Sequence, residues 1–197
     1  ESRPAGKKRV HPAAIAGPKI IKDPAGRVTF WNAQDGITVH LIPIDVAKLQ
    51  QRPGDSIVYL HDYLPDAAQG NRDVGGFFLY NGKALKRPLT IASNHRVYNW
   101  GDFNTAPDFK LPDGTRSPWP ASLVADYFIQ LSNEWDGTSH TKTTPKGAST
   151  IKSKNASART VLNGCVMAGM NEKNGSWTLQ GGYQNLIHFM EDWGGVP

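Results

Sequence analysis

An all-β domain, of the solenoid or sandwich kind and carrying two short helices, is the fold this sequence predicts. Two observations point there. Short β-branched and aromatic stretches recur along the chain at intervals of roughly 10–15 residues. Between them lie 20 Gly and 14 Pro, about one residue in six of the 197, which favour turns over a helical bundle. With 39% hydrophobic, 20% charged and 10% aromatic residues, the chain is rich enough in apolar side chains to bury a core and is not of the disordered class. No apolar run approaches the roughly 18 residues that a spanning helix needs.

Taken in order, residues 1–26 hold Pro4, Pro12, Pro18 and Pro24 with Gly6, Gly17 and Gly26. Proline fixes its own φ and disfavours helix at the residue before it, so this stretch is expected to be an extended basic arm. Residues 27–197 form the β-rich domain, expected to be a piece of a longer chain. Strands are expected at 27–31, 36–42, 56–61 and 74–80, with a short helical turn over 46–51. Asn81-Gly82 is a turn before the next strands at 89–93 and 96–100, which Asn94 and His95 separate. Residues 121–135 follow Pro120 and carry Leu123, Val124, Tyr127, Phe128, Leu131 and Trp135 at helical spacing, with Asp136-Gly137 as a stop. They predict the first helix, lying on the sheet. Residues 136–158 read as a mobile exposed loop, 160–168 as a buried strand, 171–175 as a turn and 177–179 as a short strand. The second helix is expected over 183–193, where Leu186, Ile187, Phe189, Met190 and Trp193 repeat at helical spacing.

The formal net charge of +5 is local. Residues 1–30 hold seven basic and two acidic residues, and the rest of the chain has fifteen of each. Lys7, Lys8 and Arg9 are therefore candidate contacts to an acidic surface or a phosphate, against the plainer reading of a solvated leader. The single cysteine, Cys165, excludes an internal disulfide and a Cys-based zinc site, and its apolar neighbours predict a buried, inert thiol.

Chemistry-bearing motifs are sparse. The six histidines, His11, His40, His61, His95, His140 and His188, make no HxH or HExxH arrangement. His61-Asp62 is readable as a dyad or, more plainly, as a strand-end histidine bonding its neighbour. No nucleophile elbow, phosphate loop or dinucleotide fingerprint occurs, and Glu191 and Asp192 are adjacent, so they point apart. No catalytic residue, metal ligand or cofactor is assigned. Gly101-Asp102-Phe103-Asn104 is the tightest local motif. It predicts a turn in which Asp102 and Asn104 bond nearby backbone amides, the alternative being a cation or sugar site on those oxygens. Asp113-Gly114 is likewise a turn. Of six tryptophans, Trp31, Trp100, Trp119, Trp135, Trp177 and Trp193, the pair Trp135 and Trp193 end apolar faces and are expected in the core. Trp119, between two prolines, is the candidate exposed contact.

Three blocks carry a family resemblance: residues 89–105, with the Gly-Asp-Phe-Asn turn at their end; residues 121–135, closing on Leu131-Ser132-Asn133-Glu134-Trp135; and residues 181–193, of the form Gly-Gly…Asn…Phe-x-Glu-Asp-Trp. Together the sequence resembles the β-rich ectodomain of large bacterial surface proteins linked to type IV pilus assembly, of the minor-pilin or pilus-tip kind. In that family a strand of the Asn-Gly-x-Val-x-Ala-Gly sort lies between the second and third blocks. The match spans residues 75–193, about 60% of the chain. It implies the solenoid-like option, an extracellular or cell-surface location, and Gly101, Asp102, Asn104, Asn133, Trp135, Asn185 and Trp193 as structural motif residues.

The expected function is thus a non-enzymatic structural or adhesive module in or on a pilus-like filament. Its partners would be neighbouring subunits, with a glycan or anionic surface as a further contact. Nucleic acid is not expected, nor a membrane except through segments outside this sequence. Two other classes stay open: a secreted carbohydrate-active enzyme using carboxylates such as Asp102 or Asp126, and a binder of anionic polymers through the arm and residues 140–159.

Overall fold

The computed structural model describes residues 26–32, 37–51, 54, 56–62, 73–135, 137, 140–143, 150–153, 159–169, 171–173, 176–178, 187–191 and 193. In chain order the elements are β1 (Val28–Asn32), β2 (Ile37–Asp45), α1 (Val46–Leu49), β3 (Ile57–Leu60), β4 (Asp73–Tyr80), β5 (Leu89–Ser93), β6 (Arg96–Trp100), β7 (Phe109–Lys110) and β8 (Arg116–Ser117). They continue as β9 (Ala121–Ala125), β10 (Tyr127–Leu131), β11 (His140–Thr143), β12 (Thr150–Ser153), β13 (Cys165–Ala168), β14 (Asn171–Lys173), β15 (Ser176–Thr178) and β16 (His188–Phe189). The protein is strand-rich, as the spacing of β-formers predicts.

Two sheets organise ten of these strands, and the other six pair as three two-stranded ribbons. The large sheet runs β1-β2-β4-β6-β10-β16 and the small one β13-β9-β5-β3. The chain alternates between them, passing from β2 to β3, β4 to β5, β6 to β9 and β10 to β13. Every pairing in the two sheets is parallel except β1 on β2. Parallel neighbours need a crossover, and here a strand of the other sheet supplies it. Asn81, at φ 58°, and the Asn94–His95 turn therefore carry the chain from sheet to sheet rather than closing hairpins.

Phe77, Leu79, Leu89, Ile91, Leu123 and Phe128 come from both sheets and form the core between them. A second core covers the other face of the large sheet, built on Phe30, Leu41, Phe78, Tyr98, Ile129 and Trp135. Strands β6 and β10 are consequently buried at every position. A strand apolar on both faces loses its alternation.

This explains the main correction. Residues 121–135 are not a helix but β9 and β10, one in each sheet, joined at Asp126. Strand β9 alternates, with Leu123 and Ala125 inward, while β10 is buried throughout. An alternating run followed by a continuous one happens to place apolar residues three and four apart. The second expected helix, 183–193, contains instead β16, paired parallel to β10; residues 183–186 and 192 lie outside the described residues. The helical turn expected over 46–51 is α1, capped by Asp45 Oδ1, which accepts from Lys48 N.

Three smaller expectations change as well. Residues 140–143 and 150–153, expected in a loop, pair as an antiparallel ribbon, in keeping with their threonines. Asn171–Lys173, expected in a turn, pairs with Ser176–Thr178. The strand expected over 160–168 begins at Cys165, preceded by a bridge from Leu162 to Phe103. Asp113-Gly114 does turn the chain between β7 and β8, with Asp113 Oδ1 accepting from Thr115 N and Oγ1 at 2.9 and 2.7 Å. Of the expected arm, residues 1–25 lie outside the described residues.

Candidate interaction surface

The Gly-Asp-Phe-Asn motif forms the corner where β6 ends. Gly101 has φ +77°, and a Cβ there would stand 2.7 Å from Asn133 Oδ1, so glycine is required twice over. Asn133 Oδ1 accepts from Asp102 N at 3.0 Å, and its Nδ2 donates to Asp102 Oδ1 and to Arg159 O, both at 2.8 Å. Asp102 Oδ1 also accepts from Val161 N at 3.0 Å. Asn104, in the left-handed region at φ 54°, donates to Trp119 O and Asn163 O, and Asn163 Nδ2 returns to Asn104 O at 3.1 Å. The side chains therefore clamp distant main chain, not the nearby amides that the local spacing suggests.

Burial pushes the Asp102 carboxyl up, but hydrogen bonds from Asn133 and Val161 N–H, with Lys83 at 3.3 Å, outweigh it. The group is held below the ordinary carboxylate range. Gly101, Asp102, Asn104 and Asn133 are thus brought together as a structural corner. Two contributors were not expected at this corner. Asn163 completes the clamp, and buried Glu191 accepts from Ser132 N at 2.6 Å and Ser132 Oγ at 2.7 Å beside it. Their sequence distance from the motif left no local signal.

The other predicted residues scatter. Trp135 is in the outer core, its ring 4.9 Å from Phe30 and 5.8 Å from Phe78. Trp193 is half-buried, 5.4 Å from Phe189. Trp119, expected to be exposed, is half-buried and packed on Phe109 at 4.7 Å. Asn185, Lys7, Lys8 and Arg9 lie outside the described residues. Asp62 takes a two-pronged ion pair from Arg27 at 2.6 and 2.9 Å and accepts from Gly76 N. Among the described residues no group of three or more His, Cys, Asp or Glu is placed to hold a metal ion. No helix among them is long and apolar enough to cross a membrane.

The surface that does stand out is the outward face of the small sheet. In-register pairing sets Ile57, Thr90, Ser122 and Cys165 in one row across the strands, and Tyr59, Ala92, Val124 and Met167 in the next. None of the eight is charged. Thr90 Oγ1 and Ser122 Oγ bond each other at 2.8 Å, which satisfies the hydroxyls of the floor. Ile57 is 74% exposed, Tyr59 62% and Met167 59%. Cys165 is exposed too, contrary to expectation, because β13 turns alternate residues outward and is the last described strand of its sheet. The large exposed side chains Ile57, Tyr59 and Met167 stand on the two outer strands, about 14 Å apart at a strand spacing of about 4.8 Å, with Thr90, Ala92, Ser122 and Val124 between them. Contiguous apolar surface of this kind marks interaction sites.

No protein-family model, curated protein or solved structure was found to match the chain.

Proposed function

We propose that this chain is a non-enzymatic structural or adhesive module of a bacterial cell surface, part of or attached to a pilus-like filament, and that its two-sheet winding is a β-solenoid. The uncharged, exposed face of the small sheet carries this reading. Apolar contact with a neighbouring subunit removes Ile57, Tyr59 and Met167 from water. The alternation of the chain between two parallel sheets supports the solenoid. The basic arm, with Lys7, Lys8 and Arg9, adds an electrostatic contact to an acidic surface on a neighbour or host.

The carboxylates named for an enzymatic alternative weigh against it. Asp102 is bound into the corner, and Asp126 is buried between β9 and β10. Immunogold electron microscopy on intact cells, with antibody raised to this chain, tests the proposal. Label along or at the tip of extracellular filaments is expected; label confined to the cytoplasm would discard it and bring the anionic-polymer reading forward.

A further inference from the structure

Among the tryptophans whose side chains the structure describes, Trp31 alone stands mostly in water. It is 53% exposed, whereas Trp100 and Trp135 are buried and Trp119 and Trp193 half-buried. An indole is a large apolar ring, and leaving half of it in solvent forgoes the burial that the other tryptophans obtain. Strand β1 alternates: Val28, Phe30 and Asn32 are buried, and Thr29 and Trp31 face the other way. Antiparallel pairing with β2 sets Thr29 opposite His40 and Trp31 opposite Thr38. The four side chains therefore share one patch on the ribbon, about 5 Å across the strands and about 7 Å along them, comparable to one sugar ring.

The patch is held firmly from beneath. Phe30 packs edge-on to Tyr98 at 5.5 Å and to Trp135 at 4.9 Å, and Asn32 Nδ2 donates to Tyr98 Oη at 3.1 Å. Both neighbours of Trp31 are thus pinned in the core, and a paired strand presents the indole rather than a loop. Thr29 Oγ1 lies 3.2 Å from His40 Nδ1, which sets the imidazole beside the hydroxyl. None of the four bears a carboxylate, ammonium or guanidinium. Arg27, two residues before Thr29, is bound by both oxygens of buried Asp62, at 2.6 and 2.9 Å.

An occupant must match one apolar ring bordered by uncharged hydrogen-bonding groups. A protein partner calls for an apolar centre with polar groups at the rim, which the small-sheet face offers at larger scale. An anionic polymer calls for cations. A pyranose meets both demands of the patch, since its C–H face is apolar and its hydroxyls radiate from the edge. We propose that Thr29, Trp31, Thr38 and His40 form a binding platform for a neutral glycan. The indole stacks on the C–H face of one sugar, and the two threonine hydroxyls and the imidazole bond its hydroxyl groups. The platform goes beyond the subunit contact and does not depend on it, because the two surfaces share no residue.

Titration of the isotopically labelled full chain with cellohexaose, chitohexaose and maltohexaose tests it, read at the indole N–H signals. At least one of the three should shift the Trp31 signal with a midpoint below about 1 mM. Trp31→Ala should weaken that binding at least about 10-fold, and Trp31→Phe should restore it to within about 3-fold of the parent. No shift of the Trp31 signal with any of the three at about 10 mM, or equal affinity for parent and Trp31→Ala, would overturn the proposal. Should Trp31→Ala fail to fold, the Trp31 signal of the parent decides alone. Binding of heparin, an acidic glycan, with none of the three bound would favour the anionic-polymer reading and overturn this one. Purified protein suffices, so failure here and failure of filament labelling are read separately.

Discussion

Asn133 joins Asp102, Arg159 and Thr160 through four hydrogen bonds, and no other residue type offers that donor and acceptor set in the same space. Asn133→Ala should lower stability by about 2–3 kcal/mol, because it strands polar groups of the corner away from water. Urea denaturation at unchanged m-value checks this. Asp102 adds a pH signature. Its carboxyl is held low in the folded protein, so the folded state binds its proton more weakly than the unfolded chain does. The stabilisation is present above the unfolded carboxylate pKa of about 3.9 and is lost as pH falls through the lower folded value. Asp102→Asn should therefore be clearly less stable than the parent near neutrality, with the gap narrowing toward acid, as read from denaturation midpoints across pH. Gly101, Asp102 and Asn104 were legible as a turn from their local spacing, but that Asn133 closes on them was not. Asn163 and the main chain of Val161 were not, since 59 residues separate each from its partner in the corner and sequence spacing reports only local geometry.

At the scale of elements, strand β9 separates the structure from the helical expectation. Leu123 is inward and 1% exposed, while Val124 points to the outer face. Leu123→Ala should cost about 2–5 kcal/mol and Val124→Ala under about 1 kcal/mol, measured by guanidinium unfolding. A helix with both residues on its buried face would make the two costs similar. The strands from β1 to β6 were legible since β-branched residues and turn signals delimit them. The pair β9–β10 was not, because β10 is apolar on both faces and its continuity mimics a helical stripe. Cys165 was misread for a related reason: its apolar neighbours suggest burial, but an edge strand buries only alternate residues. The native protein should accordingly react with a thiol reagent stoichiometrically and without denaturant.

For the whole molecule, alternation between two parallel sheets does two things at once. It packs an apolar core between the sheets, and it lines up outward residues from four turns of chain into uninterrupted rows. Rows of that kind are invisible in sequence, because Ile57, Thr90, Ser122 and Cys165 are neighbours only once the register is set. Tyr59→Asp and Met167→Glu, at positions 62% and 59% exposed, should change folding stability by no more than about 0.5 kcal/mol. They place charge on the two outer strands of the proposed contact, where desolvating it opposes association. The most direct measurement is immunogold electron microscopy of intact cells expressing either the parent chain or the Tyr59→Asp, Met167→Glu variant at equal levels. The account predicts gold on extracellular filaments for the parent and its loss for the variant. Equal filament labelling by both would contradict the assignment of the small-sheet face as the surface through which this module assembles.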